Sequence, residues 1–281
     1  MINAENDIKV GVALGGGFLC SLAHIGFLQV LEENGIIPDV ISGVSMGAIV
    51  GAYYAGGYSL KEIEILAKKL KKRDLVALNF FRILKKGVAS SKKIEKFLNK
   101  TLKVKTFEEL NVPLIAGATD IKTGKPYYFK NGDLIQALRA SSSVPGMLDM
   151  VRLNGTAYID GGVSDNVPFK ALKESGVDVV IAIDCINPYN LDDLPTNTIN
   201  TLIKSNQITQ TIAYKLIAEK NKNSYDIYCY DALKEASPDK LDFKLVTKII
   251  ENGRECANKY LGQIKKIIGQ KSKNKENLYS K

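Results

Sequence analysis

The chain has 281 residues, 45% hydrophobic and 25% charged, which suits one large globular domain with a sizeable core better than two small ones. No apolar run reaches the ~18 residues that span a bilayer, the first residues lack the shape of a signal peptide, and Cys20, Cys185, Cys229 and Cys256 have no CxxC spacing, which argues against a zinc site or a disulfide framework and for a cytoplasmic protein. The net charge of +9 is local: residues 61–105 hold 15 Lys/Arg against 4 Asp/Glu, so the rest of the chain is slightly acidic.

Strand and helix patterns alternate from the start, which predicts an α/β domain with a mostly parallel sheet. Lys9 to Leu14 reads as a strand ending in three glycines. Leu19 to Asn34 has helical periodicity, and Gly35 sits where a helix stops. Asp39 to Gly43 is a short strand, and Met46 to Ala55 a helix of small residues. Ser59 opens a helix to about Lys72, with Glu62 at the capping-box position. Another helix covers Ser91 to Leu102. Val112 to Thr119 and Tyr127 to Phe129 are strands joined by a turn at Lys122 to Lys125. Asp133 to Ala140 is helical, Ala157 to Asp160 a strand, and Pro168 to Glu174 a helix with proline in its first turn. Asp178 to Asp184 is a β-branched strand of the type buried on both faces. Beyond Asn187 the expectations are helices at Thr198 to Lys220 and Phe243 to Ile268, with a short strand at Ile227 to Tyr230. The whole reads as one domain over 1–269, motif-bearing over 8–186 and helical over 187–269. A polar basic tail over 270–281 is expected to fray.

Gly43-Val44-Ser45-Met46-Gly47 has the form of a nucleophile elbow. A sharp turn between a strand and a helix exposes the serine hydroxyl, and the flanking glycines relieve crowding. Val40-Ile41 before it and Ala48 to Ala55 after it supply that setting, with Gly43, Met46 and Gly47 shaping the turn. A serine needs a base. The single histidine, His24, lies among core residues of the first helix and reads as structural, so the base is expected to be a carboxylate. Asp160 ends a strand and precedes Gly161-Gly162; Asp184 also ends a strand and is its rival. The glycine run Gly15-Gly16-Gly17-Phe18-Leu19-Cys20 lacks the last glycine of a dinucleotide loop.

Taken together, several ordered motifs resemble the patatin-like phospholipases. These are Gly43 to Ala48, Tyr158 to Gly162 followed by Asn166-Val167-Pro168, Leu22 to Gly26 after a glycine-rich loop, Arg139 to Gly146, and Ala118 to Asp120. They cover about residues 8–186. The resemblance implies a three-layer α/β/α sandwich, lipid acyl esters as substrates, no metal or cofactor, and a Ser-Asp dyad with Ser45 as nucleophile and Asp160 as proton acceptor. It implies that Gly15, Gly16, Gly17 and Phe18 form the oxyanion segment, where any residue's N–H is a donor. Here the chain departs from the family pattern: Phe18 replaces a glycine, Cys20 a basic residue and Ser21 the last glycine. A bulky Phe18 is strained if the loop needs positive φ there.

Lys68-Lys69-Leu70-Lys71-Lys72-Arg73 precedes an apolar, aromatic stretch that ends in Lys85-Lys86. Basic clusters around such a stretch suit an anionic lipid surface, so Lys68 to Lys86 are the expected peripheral membrane contact. No nucleic-acid motif accompanies the charge. The expected function is a lipid acyl-ester hydrolase of phospholipase A or lysophospholipase type. The alternative, motivated by Phe18, Cys20 and Ser21, is a weakly active or inactive lipid-binding protein with the same fold.

Overall fold

The structure is a computed structural model that describes residues 8–70, 91–185, 198–229 and 243–279. Its elements are β1 (Val10–Leu14), a 3-10 turn (Phe18–Leu22), α1 (Ala23–Glu33), β2 (Val40–Val44), α2 (Met46–Ala55), α3 (Leu60–Lys69) and α4 (Lys92–Thr101). There follow β3 (Leu114–Asp120), β4 (Pro126–Phe129), α5 (Leu134–Ser141), β5 (Val151–Leu153), β6 (Thr156–Asp160), α6 (Phe169–Glu174) and β7 (Val179–Ile183). The last are α7 (Thr198–Lys220), β8 (Ile227–Cys229) and α8 (Val246–Tyr279). Capping agrees with the sequence: Ser59 and Glu62 cap each other's backbone at α3, and Asp133 accepts the Gln136 N–H at α5.

The strands form one sheet in the order β5-β6-β3-β2-β1-β7-β8, with β4 also on β3. β3, β2, β1, β7 and β8 run parallel; β4, β5 and β6 are antiparallel additions at one side. Alternate residues divide between two cores, as the two-residue period of a strand requires. Val12, Leu14, Ile41, Leu114, Ile181 and Ile183 face the large core with α1, α2 and α8. Ala13, Ile115, Val180 and Ala182 face the smaller core with Phe169 and Leu172 of α6. This is the expected three-layer α/β/α sandwich.

Three details differ from the sequence reading. The helix predicted from Leu19 begins as a 3-10 turn, and α1 proper starts at Ala23. β5 was not anticipated, although Asn154-Gly155 marks its hairpin with β6: both residues have positive φ, 49° and 81°, which is the turn an Asn-Gly pair favours. The segment expected to fray from Gln270 is helical to Tyr279. Lys271 pairs with Asp226 at 3.0 Å and Lys275 with Asp178 at 3.2 Å, and these tie its basic face to the domain.

α8 packs on α1 through a close crossing. A Cβ on Gly26 would lie 1.9 Å from the Ile250 carbonyl oxygen, and one on Gly253 would lie 1.9 Å from that of Ala23. Arg254 then grips Glu33 with two hydrogen bonds of 2.8 Å. No helix among the described residues is long and apolar enough to cross a membrane. Of the expected membrane contact, Lys68 and Lys69 end α3, and residues 71–86 lie outside the described residues.

Candidate active site

Ser45 sits at the turn from β2 into α2 with φ 56° and ψ −128°. A non-glycine residue there is strained and persists only when its surroundings hold it. Two features do so. Gly47 allows α2 to start against the end of β1, where a Cβ would lie 2.4 Å from the Leu14 carbonyl oxygen. The Ser45 N–H donates to Ser141 Oγ at 2.8 Å, and that hydroxyl donates to the Gly117 carbonyl at 2.6 Å. Ser141 thus links the elbow to β3.

Sheet register brings the carboxylate to the serine. On β3, Gly117 pairs with Val44 of β2 and the next residue, Ala118, pairs with Asp160 of β6. β4 occupies the other edge of β3 at these residues, so β2 and β6 share one edge and meet end to end. Their C-terminal ends carry Ser45 and Asp160. The junction is tight: a Cβ on Gly161 would lie 2.4 Å from the Gly117 carbonyl oxygen.

Asp160 is buried, and its main chain is fixed by Ser143 and Thr119. Oδ1 accepts the Gly162 N–H at 2.8 Å, whereas Oδ2 has no hydrogen-bond partner among the described residues. Burial raises the pKa against the opposing pull of the Ser45 hydroxyl and the Gly162 N–H, and the net value is about 6. Ser45 is thus a near neighbour that favours the charged carboxylate. The rival Asp184 is engaged elsewhere, accepting the Tyr228 hydroxyl at 2.9 Å.

The glycine loop lies beside the elbow. Its carbonyls and amides are held by distant residues. Gly15 N–H donates to Ile183 and Gly16 N–H to Asn166, at 2.9 and 3.2 Å. This removes Gly15 and Gly16 from the expected oxyanion donors, because their N–H groups already serve the sheet and its neighbouring loop. Gly17 and Phe18 N–H have no acceptor among the described residues. The Gly15 carbonyl accepts from Ser21 Oγ at 3.0 Å and from His24 Nε2 at 2.8 Å, and Asn166 Nδ2 donates to the Gly16 carbonyl at 3.1 Å. His24 is fully buried, which lowers its pKa to about 4 and keeps it neutral. Nε2 therefore carries the proton that the Gly15 carbonyl accepts, and Cys185 Sγ lies against the ring, 3.6 Å from Nδ1 and 3.5 Å from Nε2. His24 is a clamp on the loop rather than a base for Ser45.

Phe18 has φ 54°, the strained conformation that the sequence made conditional. It lines a small apolar cleft together with Ser45, Met46, Ile49, Ile94, Val144 and Met147. Ser142 Oγ in the same wall is buried without a partner among the described residues. Two of the polar atoms left unsatisfied, Asp160 Oδ2 and Ser142 Oγ, therefore lie at this site, where a substrate or water is the natural partner.

The sequence had pointed to Ser45, Asp160, their flanking glycines and the loop. It gave no role to Ser141 or Asn166, although both fall inside motif blocks that it had singled out. No group of three or more His, Cys, Asp or Glu that would hold a metal occurs among the described residues.

Fold and site together define a class: an α/β/α protein with a serine elbow set against a buried carboxylate. The profile described as patatin-like phospholipase matches residues 12–173, more than half of the chain, and the chain belongs to that family. An uncharacterized NTE family protein of Mycobacterium bovis is 34% identical over 182 residues, 65% of this chain and 50% of that one. Lysophospholipase NTE1 of Candida albicans is 33% identical over 178 residues, 62% of this chain and 13% of that protein. This chain thus spans half or less of the length of these relatives. The crystal structure of VipD from Legionella pneumophila aligns with a TM-score of 0.49 and 13% identity, covering 92% of this chain and 67% of that one.

Proposed function

We propose that this chain hydrolyses acyl esters of phospholipids or lysophospholipids with a Ser45–Asp160 dyad. The observation that carries the reading is the unpartnered Asp160 Oδ2 beside the strained Ser45 elbow. Ser45 Oγ attacks the ester carbonyl carbon while its proton passes to Asp160. The oxyanion is held by the Gly17 and Phe18 N–H groups. The tetrahedral intermediate collapses, and the departing alcohol takes the proton from Asp160. Water then attacks the acyl-enzyme, again losing its proton to Asp160. The fatty acid leaves, and Ser45 Oγ recovers the proton. Donors already in place cost no reorganisation at the moment of reaction. An acyl chain seats in the apolar cleft. Membership of a phospholipase family, and a relative named as a lysophospholipase, support lipid as the acyl source.

The alternative of an inactive lipid-binding protein rested on Phe18, Cys20 and Ser21. The loop supports activity instead, because Ser21 and His24 fasten it and two donors are left without acceptors among the described residues. Purified protein is expected to hydrolyse p-nitrophenyl esters and to be labelled by a fluorophosphonate, and Ser45→Ala is expected to remove both signals. Labelling that persists in Ser45→Ala would sink the assignment.

The proposal extends to a cytoplasmic protein that visits anionic membranes through Lys68 to Lys86. Charge reversal of Lys68, Lys69, Lys71 and Lys72 should weaken sedimentation with phosphatidylserine vesicles, most strongly at low salt. Unchanged binding removes the membrane role of this segment.

A further inference from the structure

Phe18 occupies a backbone position that asks for glycine. Its φ of 54° is a region that bulky L-residues avoid, and glycine there would offer the same N–H without strain. The fixed hydrogen bonds of the turn run through Gly15, Gly16, Ser21 and His24, so the ring is not needed to hold the loop. The ring does two things. It lines the cleft beside Ser45, and it packs in part against the large core. A strained residue whose backbone work glycine would do equally well is retained for its side chain.

We propose that the Phe18 ring is the acyl-length stop of this enzyme: it closes the cleft toward the core and sets how long a chain fits when its carbonyl carbon sits at Ser45. Specificity and oxyanion binding then reside in one residue, the first in its ring and the second in its N–H. The proposal rests on the acyl-hydrolase reading above. Each methylene given apolar cover is worth about fourfold in kcat/KM. Opening the wall therefore changes the order of preference among chains, not only the overall rate.

The test compares kcat/KM for p-nitrophenyl butyrate, octanoate, dodecanoate and palmitate between the native protein and Phe18→Gly. The ratio of the long to the short esters should rise by about tenfold or more in the variant. A loosened oxyanion loop lowers all four values together and leaves that ratio unchanged. An unchanged ratio, or one that moves toward short chains, overturns the proposal. Binding gives a second readout that needs no turnover. In the Ser45→Ala background, Phe18→Gly should tighten palmitate binding by about tenfold relative to octanoate, measured by calorimetry. Equal effects on both fatty acids overturn the proposal even where no ester is hydrolysed. Ser45-dependent fluorophosphonate labelling of the native protein reports separately on the hydrolase reading, so the failure of one is distinguishable from the failure of the other.

Discussion

Two tight turns lie side by side at the candidate site, and each carries one non-glycine residue at positive φ, Ser45 at 56° and Phe18 at 54°. They are held differently. The elbow depends on a single side chain, Ser141, which bridges the Ser45 N–H and the Gly117 carbonyl. The glycine loop is held redundantly, with Ser21 and His24 both donating to the Gly15 carbonyl and Asn166 supporting Gly16 from both sides. A short run of main chain with one bridge fixes the Ser45 backbone. A loop that has lost the usual small and basic residues keeps its shape through several buried donors.

The largest expected effect is at the carboxylate beside the elbow. Asp160→Asn should lower kcat/KM by about 10⁴-fold, measured with a p-nitrophenyl ester. The same change should stabilise the fold. Burial lifts the folded-state pKa of Asp160 from 3.8 to about 6. Between those values the folded state binds the extra proton, so this group's contribution to stability falls as pH rises through the window. At pH 7 the neutral amide should gain on the order of 2 kcal/mol in urea unfolding. A variant that is both inactive and less stable would argue that Asp160 is structural. Activity of the native protein should also rise with pH around a midpoint of about 6, as Asp160 becomes able to accept a proton. A flat profile between pH 5 and pH 7 would contradict its role as base.

A smaller effect separates the two turns directly. Ser141→Ala leaves the Ser45 N–H and the Gly117 carbonyl without their bridge and should cost about 1–3 kcal/mol, with a loss of activity. Ser21→Ala leaves the Gly15 carbonyl still bound by His24 and should cost only about 0.5–1.5 kcal/mol. Equal destabilisation by urea unfolding would mean that the loop has no redundancy.

The elbow was legible because its requirements are local: a strand, a serine between spaced glycines, and a helix within a dozen residues. From spacing alone Asp160 was one of two candidates, and it was the family resemblance that singled it out. What separates it from Asp184 is that β6 runs antiparallel along the same edge of β3 as β2, and no spacing in the chain reports that. Which N–H groups of the glycine loop stay free of main-chain acceptors among the described residues was not legible for a related reason. Gly15 and Gly16 look as suitable as Gly17 until their N–H groups are seen to reach Ile183 and Asn166, far along the chain. The hairpin at Asn154-Gly155 was different, since its signal was present and its short, part-polar strand β5 hid it. The helical end of α8 depends on ion pairs to Asp178 and Asp226, which periodicity does not register.

The close crossing of α1 and α8 has a consequence in time. His24, which fastens the glycine loop, lies on α1 and is made before the helix that covers α1, the last element described. At 5–20 residues per second, the roughly 200 residues between them take on the order of ten seconds or more to synthesise. Throughout that interval Gly26 and Ala23 have no partner helix. The candidate site is therefore fully braced only when Gly253 and its neighbours arrive, and a nascent chain long enough to contain both Ser45 and Asp160 is still without the helix that packs on the turn after its glycine loop.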